Sequence, residues 1–154
     1  MRATALKALS ERELQTLTEP LRVLLVDDDD DLRALIAERL RQDGAEVVEA
    51  SDGEVAYAAV SAGLAAEPGR YFDLVISDLQ MPKVGGFDLL WVLRFIDYRA
   101  PVVLLSGFVD DATRARAQRL GVAAILAKPF DLERLHTIAL NATARPWWYE
   151  ARGR

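Results

Sequence analysis

Three runs of consecutive apolar residues constrain the fold of this chain more than any other feature. They occupy residues 23–26, 74–76 and 102–105. Short unbroken apolar runs are typical of parallel strands that helices cover on both faces. Segments with helical spacing of apolar residues separate the runs. We therefore expect an α/β fold in which right-handed crossovers join parallel strands.

Two weaker β-type runs complete the predicted sheet. We predict strands over residues 21–26, 46–49, 73–77, 101–105 and 123–127, with a helical segment after each. Gly44 is the predicted stop of the first helix. In the alanine-rich second helix, the spacing places Val55, Ala59 and Ala62 along one apolar side.

Composition limits the classes of protein that remain. The 154 residues suit one domain, and 51% hydrophobic with 28% charged residues is a globular balance. A net charge of −5 argues against a broad basic surface for nucleic acid. The sequence has no apolar run of the roughly 20 residues that a membrane span needs and no cysteines, and residues 1–20 lack the apolar core of a signal peptide. We expect a cytoplasmic protein without disulfides.

The chain divides into three parts by pattern. Residues 1–20 have leucines at helical spacing and form a predicted N-terminal helical extension. Residues 21–141 contain all five predicted strands and form the domain. Residues 142–154 are an aromatic tail that contains Trp147, Trp148 and Tyr149, which either pack on the domain or anchor an interface.

Polar residues follow the predicted strands, and acids are prominent among them. Asp27 and Asp28 come directly after the first strand. Adjacent carboxylates repel each other unless a cation such as Mg²⁺ screens them, but acids also favour the start of a helix. Helix capping and metal binding both remain open for Asp27 and Asp28. Capping accounts for residues 29–31.

Asp78 follows the third strand and is the candidate nucleophile. A carboxylate can attack phosphorus to give an acyl phosphate, although isolated aspartates at strand ends often only cap a turn. The loop that follows could offer the Gln80 carbonyl to a metal. Ser106 and Lys128 follow the fourth and fifth strands and could contact phosphate oxygens. Gly107 would allow a close approach beside Ser106.

Five motifs in this order resemble the receiver domain of bacterial two-component response regulators. The motifs are Val26-Asp27-Asp28, Ser77-Asp78-Leu79-Gln80-Met81-Pro82, Gly85-Gly86, Leu105-Ser106-Gly107 and Lys128-Pro129-Phe130. The resemblance implies a single doubly wound, flavodoxin-like parallel sheet of five strands in the order 2-1-3-4-5, with helices on both faces.

The resemblance also implies roles for the strand-end residues. The implied Mg²⁺ ligands are Asp27, Asp28, Asp78 and the Gln80 carbonyl. Asp78 would accept the phosphoryl group of a phosphohistidine, and Ser106 and Lys128 would contact its oxygens. The protein would then be a signalling phosphoacceptor that catalyses its own phosphorylation and slow dephosphorylation, rather than a turnover enzyme.

The chain departs from the family pattern at the position three residues before the lysine. Many receivers have Tyr or Phe there as a rotameric switch, and this chain has Ile125. We expect switching through the Ser106 loop and the fourth helix instead. Gln80 and Phe108 occupy the positions that tune hydrolysis in the family, and shielding by Phe108 predicts slow autodephosphorylation.

The resemblance predicts partners as well as chemistry. The phosphoryl donor would be a sensor histidine kinase or a phosphotransfer protein. The sequence has no predicted DNA-binding output domain, so we expect a stand-alone receiver that acts through a downstream protein, without direct contact to nucleic acid or membrane. The fourth helix carries Arg114, Arg116 and Arg119, which form either a solvated face or a docking surface. A homodimer through the fourth and fifth helices is a further option.

Two other classes of protein share parts of this pattern. Phosphatases of the haloacid-dehalogenase type also use an aspartate nucleophile, but they require a second aspartate at the position of Gln80. A phosphorylation-independent, protein-binding pseudo-receiver is the remaining alternative. It is disfavoured because all the acidic, hydroxyl and lysine positions are filled.

Overall fold

A computed structural model describes residues 19–66 and 71–143 of the chain. The predicted N-terminal helix and aromatic tail lie almost entirely outside the described residues. No helix within the described ranges combines the length and apolar character that a bilayer span requires.

The described residues form five strands that alternate with five helices. In chain order the elements are β1 (Arg22–Val26), α1 (Asp30–Gln42), β2 (Glu46–Ala50), α2 (Gly53–Ala66), β3 (Leu74–Asp78), α3 (Gly86–Phe95), β4 (Val102–Ser106), α4 (Asp111–Arg119), β5 (Ala124–Ala127) and α5 (Leu132–Thr143). The predicted strands agree with these to within a residue or two at each end. Helix α5 continues to Thr143, past the predicted end of the domain at residue 141.

The five strands form one parallel sheet in the order β2-β1-β3-β4-β5. The predicted fold class and strand order are therefore confirmed. The register pairs Val26 with Ser77, and Asp78 with Leu105. Because the strands are parallel and in this register, their carboxyl ends lie along one edge of the sheet.

The core has two layers, one on each face of the sheet. Residues 23–26 of β1 are fully buried, and their successive side chains alternate between the layers. Leu24 and Val26 pack with α2, α3 and α4, whereas Val23 and Leu25 pack with α1 and α5. Burial on both faces explains why β1, β3 and β4 are continuous apolar runs in the sequence.

Two of the three residues on the predicted apolar side of α2 do not pack. Val55 and Ala62 are exposed, whereas Ala59 is partly buried against the core, and the fully buried residues of the helix are Gly53, Ala56 and Val60. An alanine-rich helix has little contrast between its faces, so the spacing of apolar residues does not determine which face packs. Packing of Val60 into the core selects the face instead.

Helix α1 begins and ends as its sequence predicts. Asp29 is the N-cap, and its carboxylate accepts a hydrogen bond of 3.1 Å from the Leu32 N–H. Asp30 and Asp31 lie in the first turn, where the helix dipole favours negative charge. Gly44 follows the helix with φ of 93°, a left-handed conformation that glycine adopts without strain.

Candidate functional site

Four polar residues lie at the carboxyl edge of the sheet. Asp27 directly follows β1, Asp78 ends β3, Ser106 ends β4, and Lys128 directly follows β5. Backbone pairing continues past the strands. The Lys128 N–H donates to the Ser106 carbonyl at 2.7 Å, and the Asp27 N–H donates to the carbonyl of Ala50 in β2 at 3.1 Å. The sheet therefore fixes the backbone from which these side chains project.

Three carboxylates form a cluster at this edge. One oxygen each of Asp27, Asp28 and Asp78 lie within 4.8 Å of one another. Asp27 is fully buried and Asp78 is 5% exposed, whereas Asp28 is exposed. Mg²⁺ prefers carboxylate oxygens and retains several waters. Two buried carboxylates beside one that faces solvent fit such a cation.

Lys128 provides the positive charge of the cluster. Its Nζ lies 3.2 Å from Asp27 Oδ2 and 3.4 Å from Asp78 Oδ1. Burial lowers the pKa of the Lys128 amine, but the charges of Asp27 and Asp78 outweigh burial, and the net effect raises this pKa. Lys128 therefore stays charged and joins β1 to β3 across the site.

The environment of Asp78 disfavours its charge. Burial and then the charge of Asp27 raise the pKa of the Asp78 carboxyl to about 6, even though Lys128 opposes them. One ammonium group thus only partly offsets three carboxylates. A further cation would complete the charge balance of the cluster.

The loop after β3 turns closely around Asp78. The Gln80 N–H lies 3.5 Å from Asp78 Oδ1, at the limit of a hydrogen bond, and the Gln80 side chain is exposed. The tight loop predicted from Gly85-Gly86 has a packing reason. A Cβ added to Gly86 would come within 2.6 Å of the Asp78 carbonyl oxygen, so the start of α3 packs directly on the end of β3.

Ser106 lies at the correct edge but makes a local contact. Its buried hydroxyl donates to the Phe108 carbonyl at 2.7 Å and accepts from the Phe108 N–H at 3.2 Å. The Phe108 side chain is 65% exposed. Added at Gly107, a Cβ would meet no atom within 4 Å, so the glycine borders open space.

The sequence analysis did not predict one residue that contacts the site, Arg33. The Arg33 guanidinium donates from Nη1 to the backbone carbonyl of Asp27 at 2.7 Å. It also donates from Nη2 to Asp30 Oδ1 at 2.7 Å. The spacing of Asp30 and Arg33 within the first turn of a helix was the available signal. The contact with Asp27 depends on the fold of the strand end.

The sequence matches the response regulator receiver domain family over residues 23–140. The chain belongs to this family. A response regulator receiver protein of Anaeromyxobacter sp. is 36% identical over 114 residues, which cover 74% of this chain and 45% of that protein. The transcriptional regulatory protein CpxR of Escherichia coli K12 is 33% identical over 129 residues, which cover 84% of this chain and 52% of CpxR. This receiver thus spans about half the length of these two relatives.

Solved structures of receivers share the fold. The chemotaxis protein CheY4 of Vibrio cholerae superposes with a TM-score of 0.72 at 28% identity, over 80% of this chain and 99% of CheY4. The non-phosphorylated receiver domain of HemR from Leptospira biflexa superposes with a TM-score of 0.71 at 30% identity, over 82% of this chain and 96% of the HemR domain. The predicted family is therefore confirmed, and it places the chain in two-component signalling.

The structure brings together most of the residues predicted for the site. Asp27, Asp28 and Asp78 form one cluster, and Lys128 contacts Asp27 and Asp78. Asp29 caps α1, which leaves its two preceding neighbours available to a cation. The Lys128–Pro129 peptide bond is cis, an isomer that the sequence left undetermined. The catalytic and metal-binding roles of these residues remain predictions.

Proposed function

We propose that this receiver accepts a phosphoryl group on Asp78 from a phosphohistidine of a sensor histidine kinase or a phosphotransfer protein. One observation carries the proposal. A nearly buried carboxylate lies between a lysine amine at 3.4 Å and two further carboxylates that can hold Mg²⁺. Membership of the receiver family supports it, since receivers are signalling phosphoacceptors rather than turnover enzymes.

The chemistry follows from the groups that surround Asp78. A carboxylate oxygen of Asp78 attacks phosphorus, a P–O bond forms, and the P–N bond to the donor imidazole breaks. The electron pair of that bond remains on the imidazole nitrogen, which takes up a proton. Bound Mg²⁺, held by Asp27, Asp28, Asp78 and the Gln80 carbonyl, would offset negative charge on the attacking and transferred groups.

Lys128 and Ser106 would contact the transferred group. The Lys128 ammonium already lies beside Asp78 Oδ1, so a small movement suffices to reach a phosphoryl oxygen. The Ser106 hydroxyl would exchange its bond to the Phe108 carbonyl for one to a phosphoryl oxygen. That exchange would change the loop between β4 and α4, which connects the site to a helix.

The same loop bears on the lifetime of the phosphoryl group. Phe108 lies two residues after the hydroxyl, with its ring largely exposed. Movement of this ring over Asp78 would exclude water, and Gln80 would orient the water that remains. Slow autodephosphorylation is the expected result.

Helix α4 is the proposed output surface. Arg114, Arg116 and Arg119 are exposed on it, and the Arg116 guanidinium lies 4.4 Å from the centre of the Phe87 ring in α3. Exposed arginines suit a downstream protein with an acidic face, or a second copy bound through α4 and α5.

Phosphorylation itself is the first test of the proposed function. The intact mass is measured after incubation with acetyl phosphate and Mg²⁺, for the wild type, Asp78→Asn and Asp111→Asn. We expect one added phosphoryl group in the wild type and in Asp111→Asn, which changes an exposed aspartate of α4. Asp78→Asn, and the wild type without Mg²⁺, should gain none.

The opposite result would identify a different function. If the folded wild type gains no phosphoryl group from acetyl phosphate or from phosphorylated kinases, the protein is a phosphorylation-independent binding module. A gain that persists in Asp78→Asn would place the acceptor on another residue.

A further inference from the structure

Arg33 lies behind the acidic cluster and makes three contacts from one guanidinium group. Nη1 donates to the Asp27 carbonyl and Nη2 to Asp30 Oδ1, both at 2.7 Å. Nε lies 3.4 Å from Oε1 of Glu49 in β2. A single side chain therefore joins the end of β1, the first turn of α1 and the edge strand β2.

The contact with Asp27 is to its backbone. A bond to the carbonyl oxygen restrains the peptide that connects Asp27 to Asp28, and so the directions in which the two neighbouring carboxylates project. The carboxylate of Asp27 is restrained from the other side, because its Oδ1 accepts from the Asp29 N–H at 2.9 Å. Arg33 and this turn thus hold the same short segment from two directions.

The burial of Arg33 shows that it is more than a surface ion pair. Its side chain is 15% exposed, whereas Asp30, its partner in α1, is 83% exposed. The buried Nε lies within ion-pair distance of Glu49 but makes no hydrogen bond among the described residues. A buried donor without a hydrogen bond is unfavourable, so the two hydrogen bonds from Nη1 and Nη2 determine the position of the guanidinium.

We propose that Arg33 is a positioning residue for the cation site, which presents Asp27 and Asp28 to Mg²⁺ by fixing the peptide between them. The inference rests on the proposed function, because it assigns the cation to this cluster. It requires the planar fork of arginine, which reaches two acceptors in fixed directions. The ammonium of lysine offers charge without that geometry. Partners that orient ligands from outside typically change metal affinity by 10–100-fold.

Arg41 provides a matched control. It donates to Oε2 of the same Glu49 at 3.1 Å and to the Val47 carbonyl at 3.0 Å. It has no hydrogen bond or ion pair with Asp27 or Asp28 among the described contacts. Replacement of Arg41 therefore removes a positive charge near β2 and leaves the acidic segment untouched.

The test is a Mg²⁺ titration followed by amide resonances of Asp28, Leu79 and Gln80, with no phosphoryl donor present. We compare the wild type with Arg33→Gln, Arg33→Lys and Arg41→Gln, and measure the unfolding free energy of each. We expect the Kd for Mg²⁺ to rise about tenfold in both Arg33 variants and to stay unchanged in Arg41→Gln. A merely structural role would lower the stability of the Arg33 variants and leave their Kd unchanged.

Each result decides the inference. A folded Arg33→Lys with the wild-type Kd overturns it, since charge alone would then suffice, and so does an Arg41→Gln that weakens binding equally. If Arg33→Gln does not fold, Arg33→Lys decides the question alone. A wild type that binds no Mg²⁺ overturns the metal site and this inference together. If the wild type binds Mg²⁺ tightly and the Arg33 variants have the same Kd, the role of Arg33 is overturned and the metal site is retained.

Discussion

At the scale of single residues, the site is defined by charges that the fold holds close together against their repulsion. Asp27 and Asp78 are buried beside each other, and Lys128 is the cation in direct contact with both. Such an arrangement stores unfavourable energy in the metal-free protein. A cation bound by the proposed metal ligands would relieve this repulsion.

Removal of one charge should therefore stabilise the metal-free protein. For Asp78→Asn we expect the unfolding free energy at pH 7 to rise by on the order of 1–3 kcal/mol, because the carboxylate is buried beside Asp27. Urea unfolding of the wild type and Asp78→Asn in the presence of a chelator measures this difference in unfolding free energy. Asp111→Asn, at an exposed position, should change stability by less than about 0.5 kcal/mol. A less stable Asp78→Asn would contradict this account of the cluster.

Tyr98 predicts a loss of stability at high pH. Its hydroxyl accepts a bond of 2.6 Å from the Phe72 N–H, and burial raises the pKa of the phenol to about 12. A folded-state pKa above the ordinary value of about 10 means that folding favours the neutral phenol. The neutral phenol of Tyr98 therefore contributes about 2–3 kcal/mol to the unfolding free energy. This contribution is complete below pH 10 and is lost as the pH rises towards 12.

The comparison with Tyr98→Phe isolates this contribution from other groups that titrate in alkali. The unfolding free energies of both proteins are measured from pH 9 to above 11. We expect the excess unfolding free energy of the wild type over Tyr98→Phe to shrink as the pH rises, and then to change sign. Parallel curves would show that Tyr98 does not titrate as described.

At the scale of elements, the position of α3 on β3 sets the loop that surrounds Asp78. Gly86 begins α3 against the Asp78 carbonyl, where a side chain would clash with backbone. The Gly85 N–H donates a hydrogen bond of 3.1 Å to the Asp88 carboxylate, so this backbone donor at the start of the helix has a partner. The glycine pair thus permits contact between helix and strand.

Gly86→Ala should push the start of α3 away from the end of β3 and lower the stability of the protein. A methyl group 2.6 Å from a carbonyl oxygen requires backbone movement, and we expect a loss of about 1–3 kcal/mol in unfolding free energy. Gly107→Ala is the control, because open space surrounds that position and stability should hardly change. Equal stability of the two variants, measured by urea unfolding, would show that the contact relaxes without cost.

At the scale of the whole molecule, α4 is the described helix with the fewest residues buried in the core. Ala117 is its single buried residue, whereas α3 has four. Ile125 of β5, at the position where many receivers have an aromatic switch, packs against the same core cluster as Ala117. Elements with few buried contacts move most readily, so α4 is the expected site of switching.

A phosphoryl mimic tests this expectation. With Mg²⁺ and a beryllium fluoride complex bound, amide shifts beyond the residues that line the pocket should concentrate in the Ser106 loop and in Asp111–Arg119. Helix α2 serves as the internal reference. Shifts confined to the residues around Asp78 would exclude transmission through α4 and leave the output surface elsewhere.

The sequence alone determined the sheet, its class and the identity of the residues at its edge. Continuous apolar runs specify buried strands because both of their faces must exclude water. The acids, the serine and the lysine follow those runs directly, so their convergence could be predicted from the ends of parallel strands. The family resemblance supplied the strand order.

Only the tertiary structure decided which groups touch. The buried face of α2 depends on packing, because its alanines give the helix no clear apolar stripe. Ser106 binds the Phe108 carbonyl, and Arg33 reaches the Asp27 backbone, because of how strand ends and loops turn in space. Local sequence patterns record the spacing of residues along the chain. Contacts between distant segments arise only when packing of the core brings them together.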